Sequence, residues 1–93
     1  SGVSGSISTS IAKLLKEISA TKQVFCITHQ PVIAASADFH FSVSKRVENG
    51  VTNSKVLLLE EFRDRQSELA KLAGGTFEEA SAYAASLLDN KAA

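Results

Sequence analysis

The nine residues Gln23-Val-Phe-Cys-Ile-Thr-His-Gln-Pro31 (QVFCITHQP) decide how the whole chain is read. Val24 to Ile27 are apolar without a break, and the run then meets Thr28, His29 and, two residues on, a proline. Continuous apolarity without alternation predicts a strand over 24–28 covered on both faces, as strands of a parallel sheet are. Cys26, inside it, reads as a small buried hydrophobe, because a reactive thiol needs an accessible, electropositive setting. His29 then stands at the carboxyl end of that strand. Ligands of open α/β sheets bind beyond the carboxyl ends of strands, and a neutral imidazole can donate or accept a hydrogen bond there. Two readings stay open: a polar strand-end cap, or a ring facing something bound above the sheet.

Working outward, Ile7, Ile11, Leu14, Leu15 and Ile18 mark one apolar stripe of a helix from Ser4 to about Ser19, with Lys13, Lys16 and Glu17 on the other side. Ser4 or Ser6 can cap it, and Gly2 and Gly5 free the preceding turn. A helix leading into a covered strand is half of an α/β crossover unit. Pro31 can open a short helix over 32–37, since a first-turn proline gives up no needed donor. Phe39, Phe41 and Val43 alternate with polar neighbours, the period of a strand with one buried face. Glu48-Asn49-Gly50 then turns the chain, and Val51 to Leu59 return as the partner strand. Phe62, Leu69 and Leu72 with Ala70 and Ala73 predict a helix stopped by Gly74-Gly75. Thr76-Phe-Glu-Glu79 has the form of a capping box for a last helix carrying Ala80, Tyr83, Ala84, Leu87 and Leu88. The fold class is α/β: helix, buried strand, short helix, β-hairpin and two C-terminal helices.

Ten basic and ten acidic side chains cancel, which argues against a dedicated DNA-coating surface. The single cysteine can neither form an internal disulfide nor hold zinc alone. No apolar run approaches the ~18 residues of a membrane span and no signal peptide is evident, so a reducing cytoplasm is the default. The chain has no Walker-type loop and no serine-hydrolase elbow. Its two histidines, His29 and His40, lie on different elements without a third ligand, so no metal site is expected. His40 reads as exposed on the hairpin's polar face, Lys45-Arg46 as a solvated face, and Glu60 to Arg65 as a helix entrance with ion pairs worth little each. The residues by themselves complete no active site.

"GVSG" ahead of a helix, then "QVFCITHQPVIAASADFHFSVSK", then "RQSELAKLAGG" resemble, in order and over essentially the whole chain, the C-terminal end of the RecN family. These are bacterial DNA repair ATPases of the SMC-like, ABC-type class, and the THxPxxAAxADxHFxVxK pattern is the most specific part of the likeness. The resemblance implies that residues 1–93 are the C-terminal part of an ATPase head, an incomplete domain. It implies that Ser1, Gly2, Val3, Ser4 and Gly5 form the D-loop region, which communicates across a dimer of two heads. His29 matches the switch histidine that reads the γ-phosphate of ATP, and Thr28 sets the end of its strand. Gln30 and Val32 depart from the leucine and glutamine usual there. The implied cofactors are ATP and magnesium in the full-length protein, with none bound to this part alone. The implied partners are the rest of its own head, a second head in a homodimer and DNA, in a cytoplasmic, nucleoid-associated setting. Walker A, Walker B, the signature motif and the coiled-coil arms lie outside the sequence, so this part alone should not hydrolyse ATP. The competing readings are an autonomous α/β interaction module that binds no nucleotide, and the same end of another ABC-type head.

Strand edges that lack neighbours invite pairing between copies. The isolated chain is therefore expected to self-associate, and a strictly monomeric sedimentation profile at high concentration would contradict this.

Overall fold

The computed structural model describes residues 5–92. In chain order it contains α1 (Gly5–Ser19), α2 (Pro31–Ser36), β1 (Phe41–Glu48), β2 (Val51–Leu58), α3 (Phe62–Ala73) and α4 (Phe77–Ala92). The mixed helix-and-sheet class agrees with the sequence, and so do six of the seven elements. The seventh, the buried strand over 24–28, does not form: the sheet among the described residues is the two-stranded β1–β2 hairpin. Phe25 and Ile27 are 82% and 104% exposed, and Cys26 is exposed as well. The run's apolarity asks for neighbours on both faces, and the described chain supplies no strand to pair with it. Val24 and Thr28, on the alternate side, are half-buried.

α2 lies at the centre and packs against α1, α3 and α4. Its Ile33, Ala34 and Ala35 are buried. Ala34 and Ala35 join Leu69 of α3 and Ala84 and Leu88 of α4 in one core, with Ala70 and Leu87 against it. Small side chains at these contacts let the helix axes approach closely, since interaxial distance follows side-chain size. α1 obeys the same rule. Its buried positions are Ser8 and Ala12, while Ile7, Ile11, Leu14 and Ile18 are exposed. The apolar stripe expected to dock is thus one position round from the face that does. Bulky isoleucines would hold α1 away from the alanines of α2; Ala12 does not.

α3 and α4 form a helical hairpin. Gly74 and Gly75 take φ of 74° and 82°, which side-chain-bearing residues rarely adopt, and the Gly74 N–H bonds the Ala70 carbonyl at 3.4 Å. Thr76 Oγ1 accepts from the Glu79 N–H at 3.1 Å, the expected cap, and Glu78 and Glu79 favour the positive end of α4. Gln66 Nε2 ties α3 to α4 by donating to the Ser81 carbonyl at 2.9 Å.

The β-hairpin closes through Asn49 and Gly50, both at positive φ (52° and 78°), between the paired residues Glu48 and Val51. That is the two-residue turn whose twist suits the flanking strands. Phe41, Val43, Val56 and Leu58 share one face by register, and all four are exposed. The Leu59 N–H extends the ladder by bonding the His40 carbonyl at 2.9 Å, and Ser42 Oγ moors the base of the hairpin to α3 by donating to Glu68 at 3.3 Å. Its projection explains a radius of gyration of 14.3 Å, against about 12 Å for a compact chain of this length.

Leu69 is the largest wholly buried side chain. Leu69→Ala should destabilise the fold by about 2–5 kcal/mol, the range for a large-to-small change in a packed core. Urea denaturation checks this, and an unshifted midpoint would place the core elsewhere.

Candidate functional site

The backbone around His29 is fixed from both sides. The Gln30 N–H donates to Thr28 Oγ1 at 3.0 Å, closing a short turn across the histidine. Gln30 has extended dihedrals (φ −91°, ψ 117°) and accepts the first helical bond, from the Ala34 N–H at 3.0 Å. Pro31, the first residue of α2, presets its φ for the helix. His29 itself is exposed. An uncovered imidazole therefore stands on a turn continuous with the most enclosed helix of the molecule. With no strand over 24–28, His29 caps no strand end, and its exposed ring stands on the turn that leads into α2.

The other end of α2 is also held. Arg65 of α3 aims one nitrogen, Nη2, at three carbonyls: Ala37 at 3.1 Å, and Ala34 and Ala35 at 3.4 Å each. The Ala34 carbonyl also accepts the Ala37 N–H at 3.3 Å, and a cation among the last carbonyls of a helix adds a donor there and opposes the negative end of the dipole. Asp38, next along the chain, pairs with Lys16 of α1 at 2.5 Å. Both partners are largely exposed, so this pair contributes about 0.2–1 kcal/mol and serves mainly to join the C-terminal ends of α1 and α2. Burial lowers the pKa of Arg65, with Asp38 opposing, yet a guanidinium stays charged at any working pH.

Thr28 and His29 of the expected site thus share one turn. Gly5 opens α1, where its carbonyl accepts from Thr9 Oγ1 at 2.9 Å. Ser1, Gly2, Val3 and Ser4 lie outside the described residues. Arg65 was hidden by its place in the charged run 60–65. Its spacing carried the signal: three residues after Phe62 and four before Leu69, it falls on the apolar stripe of its helix, where a cation must find carbonyls or carboxylates. Among the described residues no three His, Cys, Asp or Glu side chains are placed to hold a metal ion, and no helix is long and apolar enough to cross a membrane.

The chain is similar to curated proteins named DNA repair protein RecN. It is 43% identical over 107 aligned residues to that of Synechocystis, covering 99% of this chain and 18% of the relative. It is 40% identical over 88 residues to that of Deinococcus radiodurans, covering 94% and 15%. It is 35% identical over 74 residues to that of Bacillus subtilis, covering 80% and 13%. The chain thus spans less than a fifth of the length of these relatives. No family model matches it.

His40 departs from its expected exposure. It precedes β1, is half-buried, and its Nδ1 is buried without a hydrogen-bond partner among the described residues. Burial, reinforced by the Arg65 cation and opposed by Glu68, holds its pKa below the ordinary 6.5. The unfolded chain therefore binds a proton here that the folded chain resists, and stability falls as pH drops through the unfolded value. His40→Gln should flatten the change in urea midpoint between pH 7.5 and 5.5, and an unchanged slope would contradict the assignment.

Proposed function

Because the chain belongs to the RecN family of DNA repair proteins, as a C-terminal segment, we propose that it is part of an ABC-type, SMC-like ATPase head in which His29 contacts the terminal phosphate of ATP. The observation that carries this reading is the exposed imidazole on the Thr28–Gln30 turn, rigidly joined to α2. The residues present fit a phosphate: the ring is uncovered, and one ring nitrogen of neutral imidazole is a donor. ATP, once bound, supplies the phosphoryl group, and the chemistry of its transfer is largely positioning and electrostatic stabilisation.

In that setting His29 holds a proton on the ring nitrogen that faces the phosphate and donates it as a hydrogen bond to a phosphate oxygen. Such a donor helps most when its position is set before the reaction. Thr28 fixes that position by accepting from the Gln30 N–H, which prevents the backbone at His29 from swinging. In the same reading Ser1 to Gly5 form the D-loop, which contacts the second head of a homodimer. The remaining phosphate and magnesium contacts come from parts of the protein outside this chain. The uncovered run 24–28 faces the rest of the head's sheet, and DNA is engaged by the assembled, nucleoid-associated protein rather than by this charge-neutral segment.

In the full-length protein, His29→Ala should lower kcat for ATP by about 10²-fold, the scale of one lost transition-state donor. ATP affinity should stay within about threefold of the parent, the pattern of an interaction made chiefly in the transition state. Undiminished turnover in a steady-state ATPase assay would remove His29 from the mechanism.

A further inference from the structure

We propose that Arg65 is a positioning residue for His29, acting through α2. The inference rests on the reading of His29 given above and adds to it the element that holds the histidine in place.

A helix of six residues is about 9 Å long and too short to be stable alone. It is therefore positioned by whatever grips its ends. At the N-terminal end the Thr28–Gln30 bond and Pro31 make the backbone of His29 continuous with α2. At the C-terminal end Arg65 gathers the carbonyls of Ala34, Ala35 and Ala37 onto one nitrogen. Between the ends, Ile33 is the one large side chain that α2 buries, and the alanines beside it in the core have little shape by which to resist a slide of α2 along its neighbours. The polar grip at the C-terminal end supplies that resistance.

The grip is costly to build. Arg65 is a partly buried cation, and its Nε is buried without a partner among the described residues. An unsatisfied buried donor is a penalty that an apolar side chain on the same stripe would avoid. Local rules broken in this way tend to mark functional positions. A misplacement of ~1 Å at a catalytic group can cost ~10²-fold in rate, so a small slip of α2 matters at His29.

The test is a double-mutant cycle on kcat for ATP in the full-length protein. Arg65→Gln on the parent background should lower kcat about tenfold while ATP affinity changes less than threefold. On a His29→Ala background the same substitution should cost nothing further, because the group it positions is gone. Arg65→Lys keeps a cation and one donor nitrogen, so it should lose only about threefold, again solely when His29 is present. This milder variant carries the test if Arg65→Gln does not fold. Full activity in both Arg65 variants, or a loss of equal size with and without His29, overturns the inference. If His29→Ala alone leaves kcat intact, the reading of His29 fails first, and with it the basis for the cycle.

Discussion

The enclosure of α2 is the constraint on which the remaining structure depends. Six residues cannot repay the cost of nucleating a helix, so α2 exists because three other helices close around it. That closure requires small side chains on the shared faces, and Ala12, Ala34, Ala35 and Ala84 supply them. Little apolar area is buried per residue at such contacts, so polar grips take on more of the work of fixing position. The Arg65 cap and the Lys16–Asp38 pair join α2 and its flank to helices it meets through alanines, and the Gln66–Ser81 bond adds to the leucine and alanine contacts of α3 with α4.

Much of this was legible in the residues. Asn49-Gly50, Gly74-Gly75 and Thr76 announce turns and a cap by chemistry that acts over four residues or fewer, and each forms, the capping box through its Thr76 half, in which the Glu79 N–H donates to the threonine hydroxyl. The helices followed from apolar spacing, but spacing did not show which face of α1 would dock. Size complementarity with α2 chose the face of Ser8 and Ala12 over the isoleucine stripe, and that choice depends on residues twenty or more positions away. The strand over 24–28 failed for a related reason. Its apolarity describes what the segment would accept on both sides, whereas strand formation needs another strand within reach. The surroundings of α2 followed the same division: Pro31 was recognisable as a helix opener, while Arg65 lay concealed in a charged run until the tertiary fold brought it to α2.

The uncovered apolar surfaces share one meaning. The isoleucine stripe of α1, Phe25 with Ile27, and the face made by Phe41, Val43, Val56 and Leu58 all leave large apolar side chains exposed. In relatives whose length far exceeds this chain, such surfaces have further polypeptide available to meet them. The core around α2 is closed within the segment; its periphery is open.

Cys26 lies in that open periphery. Its thiol stands in solvent between Phe25 and Ile27, three positions before the histidine, and it is the sole cysteine of the sequence. An environment-sensitive dye attached at this sulfur would sit on the very run that lacks a covering layer. Its emission would register, without any engineered residue, when another surface closes over that run.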